Sequence, residues 1–142
     1  APNVQRGGTY LAMEGPQFST RAESHLYRSW GCDVIGMTNM PEAKLAREAE
    51  LPYASVCMVT DYDCWRAADA DVDITDILSV MKANTERAHA TVEAVVARMA
   101  AEPRTMSPQR IETALDHAIL TAPQARDGAL VAKLDAVAGR VL

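Results

Sequence analysis

Three cysteines are too few and too scattered to organise this chain. Cys32, Cys57 and Cys64 are odd in number, lie far apart and form no CxxC or Cys/His ligand pattern. They argue against a disulfide framework or a thiolate metal site and read as reduced thiols of a cytoplasmic protein, with Cys57 expected in the core. No apolar run reaches membrane-spanning length and no signal peptide is visible. No basic patch interleaved with aromatics appears, so nucleic-acid binding has little support. His25, His89 and His117 fall on predicted helices without metal-ligand spacing and read as ordinary helical residues. Repeats of solenoid period and low-complexity tracts are also missing. So is an initiator methionine: the start Ala1-Pro2-Asn3-Val4-Gln5 reads either as a processed terminus or as the middle of a longer chain.

What is present is a globular composition. Apolar residues make up 49% of the 142 residues, and the formal charge of −5 comes from both signs scattered along predicted helices. That length suits one domain, or half of a larger one. A domain of this size buries roughly 70% of its unfolded surface.

Short strands alternate with helices in the first 65 residues or so, and helices follow. Tyr10 to Met13 reads as a strand ended by the turn Glu14-Gly15-Pro16. Thr20 to Glu23 is a T-x-x-E capping box that starts a helix through Trp30, with Gly31 as its stop. Asp33-Val34-Ile35 is a short strand. Asn39 or Met40 is expected to cap the next helix, with Pro41 in its first turn, Leu45 and Ala46 inward, and an end near Ala49. Tyr53 to Val59 reads as a buried strand by its apolar content. A long helix follows from Asp73, with Ile74, Ile77, Leu78, Met81, Ala88, Val92, Val95, Val96 and Met99 at 3.6-residue spacing. Two further helices are predicted, from Ser107-Pro108 to about Leu120 and over Gly128 to Val141. The order indicates an α/β fold, a half-domain finished by helices. Its strands are too few for a self-sufficient sheet, so the sheet is expected to continue in residues outside this sequence.

The run Thr60-Asp61-Tyr62-Asp63-Cys64-Trp65 is the most informative stretch. If the preceding strand extends into it, Asp61 and Asp63 point to the same side and converge at a strand end, the usual place for ligand chemistry in an open α/β sheet. Two carboxylates that close repel, so one is expected to keep its proton near neutral pH and act as a donor. A donor–acceptor pair matches a purine edge; the competing reading is two solvated aspartates in a turn.

Four segments together resemble a known family. Glu14-Gly15-Pro16-Gln17-Phe18-Ser19-Thr20-Arg21-Ala22-Glu23-Ser24 is similar to the EGPxFS(S/T)(R/K)AES motif of 5′-deoxy-5′-methylthioadenosine phosphorylases. Trp30 to Glu42 resembles their WGADxIxMTxxPE motif, Ala43 to Ala49 their AxLAxEA helix, and Thr60 to Trp65 their TDYDCW run. The family belongs to the trimeric purine nucleoside phosphorylases, whose chains are close to twice this length. The resemblance therefore implies the carboxy-terminal half of a mixed sheet flanked by helices, with residues 1–142 as a partial nucleoside phosphorylase domain.

The resemblance also implies roles. Asp61 and Asp63 would face the purine and stabilise the departing base, whose N7 needs a proton or strong hydrogen bond as the glycosidic bond breaks. Phe18 would pack against the ring, unless it is a core residue, and Ser19 would lie by the base, unless it is a helix cap. Met37 would sit under the ribose. Thr38 would bind phosphate, helped by free amides before a helix start. Ile74, Ile77 and Leu78 would enclose a 5′-methylthio group, although core packing explains their spacing equally well. The implied reaction is phosphorolysis of S-methyl-5′-thioadenosine to adenine and 5-methylthioribose 1-phosphate by a homotrimer. Inorganic phosphate is the co-substrate, and no metal or organic cofactor is implied. The family's amino-terminal phosphate loop, Arg-His phosphate pair and Thr-Ala loop have no counterpart here. Two alternatives stand: a phosphorylase for 6-oxopurines such as S-methyl-5′-thioinosine, or a non-catalytic fragment that needs a partner chain. The charge run from Asp69 to Asp73 reads as a solvated loop, with a lid as the alternative.

Overall fold

The computed structural model describes residues 4–66 and 74–142, with backbone alone for 74–77. It divides into two compact units, one of residues 1–37 and 56–103, the other of 38–55 and 104–142.

The first unit begins with a β–α–β element. Strand β1 (Tyr10–Ala12) and strand β2 (Val34–Gly36) pair in parallel, with Tyr10 opposite Val34 and Ala12 opposite Gly36. A parallel pair needs a crossover, and helix α1 (Arg21–Ser29) supplies it. Its start follows from the capping box: Thr20 Oγ1 accepts from the Glu23 N–H, while the Glu23 carboxylate accepts from the Thr20 N–H at 2.7 Å. Those bonds from Thr20, backbone first, hold the Glu23 carboxyl below its ordinary value. Gly31, at φ +77°, takes the left-handed position just past the helix end. Gly36 cannot carry a side chain without overlap, because the Tyr10 hydroxyl occupies the place of its Cβ.

Helix α3 (Ile74–Ala101) completes this unit, as its periodicity predicts. Its apolar stripe does not meet a core. Leu78 is 58% exposed, and Met81, Val92, Val95, Val96 and Met99 are exposed as well. Among the described residues no hydrophobic side chain is buried. The expected burial of Cys57 and of Leu45 is corrected too, since both are exposed.

The second unit holds helix α2 (Glu42–Glu48) and helix α4 (Gly128–Ala138). Pro41, not Asn39 or Met40, occupies the α2 cap position, without a side-chain cap, and the Asn39 side-chain amide donates to Ser55 Oγ at 2.7 Å. Asp127 caps α4, accepting from the Ala129 and Leu130 N–H groups. Glu50 organises the unit: Arg140 donates to it from Nε at 2.6 Å and from Nη2 at 2.5 Å, and the same Nη2 reaches Asp116. Hydrogen bonding from Arg140, aided by the Leu115 N–H, holds the Glu50 carboxyl down at about 2.

Two predicted elements are corrected. Residues 107–120 form no α-helix, only a 3₁₀ turn at Ile111–Thr113. Arg110 breaks the run by adopting φ 52°, and the Leu115 N–H, needed by a helix ladder, donates to Glu50 at 2.9 Å. Residues 53–59 form no strand either. Ladder bonds to neighbouring strands are missing there among the described residues; the Val59 carbonyl instead accepts from the Asn84 side chain of α3 at 3.1 Å.

Candidate active site

The carboxylate run is a turn rather than a strand end. Asp63 adopts φ 58°, a left-handed conformation uncommon outside glycine. Asp61 supports it, since its Oδ1 accepts the Asp63 N–H at 2.9 Å in an Asx-type arrangement. The other Asp61 oxygen accepts from Thr60 Oγ1 at 2.7 Å. Asp61 is exposed and Asp63 half-buried. The two side chains thus differ in environment.

Ser19 closes the turn from the segment that enters α1. It is 8% exposed, and its hydroxyl lies 3.0 and 3.1 Å from the two Asp63 oxygens. The Cys64 thiol donates back to the Ser19 carbonyl at 3.2 Å. Ser24, one turn into α1 and 2% exposed, has its hydroxyl beside the same carboxylate, without a hydrogen bond of full geometry. Burial pushes the Asp63 carboxyl up. The Ser24 hydroxyl, the Cys64 N–H, the Ser19 hydroxyl and the Cys64 thiol together outweigh it and hold Asp63 below the ordinary Asp value. The expectation that one of the pair keeps its proton therefore does not fall on Asp63, whose surrounding donors favour the carboxylate form.

The remaining nominated residues are placed as follows. Phe18 is 85% exposed beside Ser19, which excludes core packing among the described residues. Met37 follows β2 in the first unit, with its sulfur 2.9 Å from where a Cβ on Gly15 would lie; the EGP turn and the end of β2 are thus in contact. Thr38 is exposed and belongs to the second unit. Leu78 is on α3, while the side chains of Ile74 and Ile77 and the whole charge run 69–73 lie outside the described residues. Among the described residues of the first unit, the contacts unite Ser19, Asp61 and Asp63. An open apolar groove of about 560 Å³ between α2 and Tyr53 contains none of the nominated residues. Sequence reasoning passed over Ser24 and Cys64. The signal for Ser24 was available: the capping box fixes the register of α1, and Ser24 and Arg28 then share a face. Among the described residues no group of three His, Cys, Asp or Glu side chains is placed to hold a metal ion, and no helix is long and apolar enough to cross a membrane.

The sequence profile of the phosphorylase superfamily matches residues 1–97. The chain belongs to the phosphorylase superfamily. It is 62% identical to an S-methyl-5′-thioadenosine phosphorylase of Cereibacter sphaeroides, across 98% of this chain and 48% of that protein. It is 54% identical to the corresponding protein of Rhodospirillum rubrum, across 97% of this chain and 47% of that one. Among solved structures, a methylthioadenosine phosphorylase sourced from an antarctic soil metagenomic library superposes with a TM-score of 0.80 at 43% identity, covering 92% of this chain and 44% of that one. Methylthioadenosine phosphorylase from Schistosoma mansoni in complex with adenine gives 0.64 at 36% identity, covering 77% of this chain and 37% of that one. The chain spans about half the length of the curated relatives it matches. The α/β phosphorylase fold expected from the motifs is thus the fold of this chain.

Proposed function

We propose that this chain is the base-holding, carboxy-terminal half of an S-methyl-5′-thioadenosine phosphorylase, which converts its nucleoside and inorganic phosphate to adenine and 5-methylthioribose 1-phosphate. The observation that carries the reading is the Ser19–Asp63 contact inside a Thr60–Trp65 turn that also presents Asp61. An ionised Asp63 is an acceptor only, suited to the N–H of a 6-amino group. A 6-oxo group offers it no proton, so this environment favours the aminopurine over S-methyl-5′-thioinosine. The hydrogen-bond donor to N7 is then a group other than Asp63, such as a water that Asp61 orients, because Asp63 has no proton to give.

Phosphate attacks C1′ as the glycosidic bond breaks, and the transition state resembles a ribosyl cation. Thr38 contributes a hydroxyl to the phosphate, with Met37 under the ribose and Ile74, Ile77 and Leu78 around the methylthio group. Exposed Phe18 is free to lie on the purine ring. The remaining phosphate ligands belong to the amino-terminal half, in a cytoplasmic homotrimer that needs no cofactor.

The test is turnover by the complete protein that carries this chain, with phosphate and each nucleoside in turn. Asn at position 61 and Asn at position 63, made separately, should each lower kcat/KM for the thioadenosine at least tenfold. Full activity in both variants, or a large excess for the thioinosine, refutes the assignment.

A further inference from the structure

The turn that presents Asp61 and Asp63 is braced by a stack that no step above uses. The Arg28 guanidinium lies over the Trp65 ring, 3.6 Å from its centroid. Trp65 meets Tyr62 edge to face, centroids 6.2 Å apart at 88°, and Arg66 covers Tyr62 at 4.4 Å. Cation and ring alternate through Arg28, Trp65, Tyr62 and Arg66, and Tyr62 is the residue between the two aspartates. Such contacts are attractive because the ring face carries negative quadrupole density, and edge-to-face is a favoured aromatic arrangement.

Helix α1 therefore grips the turn at two places on one face. Ser24 lies beside the Asp63 carboxylate, and Arg28, four residues on, lies on Trp65. Arg28 is also in the last turn of α1, where a cation is favoured by the helix dipole. The turn needs bracing because Asp63 sits at φ 58°, a conformation that persists only where its surroundings over-determine it. Asp61 and Ser19 hold Asp63 by hydrogen bonds; the stack fixes the direction of the residues on either side.

We propose that Arg28 and Trp65 are positioning residues for the base-binding carboxylates, setting the affinity for the purine without touching it. The proposal rests on the purine-site reading above. Their contribution is to ground state and transition state alike, so its loss raises KM and leaves kcat nearly unchanged.

The experiment uses the complete active protein in a background where Trp30 and any tryptophan outside this chain are replaced by Phe, which leaves Trp65 as the only emitter. Arg28→Met is expected to raise KM for the thioadenosine about fivefold with kcat within about twofold, and to shift Trp65 emission. Arg28→Lys, which keeps a cation over the ring, should restore most of both signals. Arg28 is exposed, so its replacement leaves no buried vacancy, and Trp65→Phe, which retains a ring, should give a smaller rise in KM. An unmoved KM in Arg28→Met, with or without an emission shift, overturns the positioning role, as does failure of Arg28→Lys to rescue. Asp61→Asn in the same background separates the two readings. Loss of activity there with none in Arg28→Met defeats the stack alone; full activity in Asp61→Asn defeats the purine site and the proposal with it.

Discussion

Replacing Ser19 by alanine removes the donor that reaches both Asp63 oxygens, at 3.0 and 3.1 Å. A hydroxyl carries one proton, so the two distances describe one shared hydrogen bond. Hydrogen bonds to charged groups contribute about 1.5–3 kcal/mol, and the half exposure of Asp63 places this one near the lower end, about 1.5 kcal/mol. Alanine fits the buried site without new volume, and the Ser19 carbonyl still accepts from Cys64. Urea unfolding followed by tryptophan fluorescence reads the right region, because Trp30 and Trp65 both belong to the first unit. The pH dependence separates this cause from general packing damage. The folded-state pKa of Asp63 lies below its ordinary 3.8, so its stabilisation is complete above that value and disappears as pH falls through the folded pKa. The stability gap between wild type and Ser19→Ala should therefore be about 1.5 kcal/mol at pH 7 and narrow below pH 3.8. A gap that is absent at pH 7, or unchanged through the acid range, refutes the reasoning.

Two further predictions concern other contacts. In the second unit the Glu50 carboxyl, held at about 2 against an ordinary 4.5, stabilises the fold above pH 4.5, and that contribution is lost as pH falls toward 2. Calorimetry should show acid destabilisation over that window in the wild type and a flatter profile in Glu50→Gln or Arg140→Met; identical profiles count against the clasp. In the first unit, Thr20→Ala removes the cap of α1 and should cost about 1 kcal/mol in urea unfolding, with no measurable loss as the contrary result.

What could be read from the sequence was what closes over a short distance. Thr20 and Glu23 are three residues apart, so the capping box, the start of α1 and the stop at Gly31 were all legible. The 28-residue α3 was legible from periodicity alone, apart from what covers its stripe. Residues 107–120 were misread because Leu115 gives its N–H to Glu50, 65 positions earlier, and no local pattern records that diversion. Residues 53–59 were misread because apolar content reports a preference for burial, whereas a strand exists only through its ladder partners. The environment of Asp63 was not legible for a related reason. Mutual repulsion can be inferred from a two-residue spacing, but two of the donors around Asp63, Ser19 and Ser24, lie more than thirty positions upstream.

These errors share a direction, and it bears on how the site is built. The contacts that define the carboxylate turn, from Ser19, Ser24 and Arg28 to Asp63 and Trp65, lie within one unit and are polar or cation–π. They do not depend on a hydrophobic core, which the described residues lack. The apolar side chains that line up on α3 are a different matter: Leu78, Met81, Val92 and Val96 remain exposed in a chain about half the length of its relatives. Burying one such side chain contributes about 1.5–3 kcal/mol, so a covered stripe stabilises the fold far more than the hydrogen bonds of the turn do. The geometry of the carboxylate turn is thus held by contacts within one unit, while most of the stability that such a stripe can provide is not realised within the described residues. Variants of Ser19, Asp61 and Arg28 are for that reason expected to change binding and pH behaviour well before they unfold the complete protein, which is what makes them informative probes of the site.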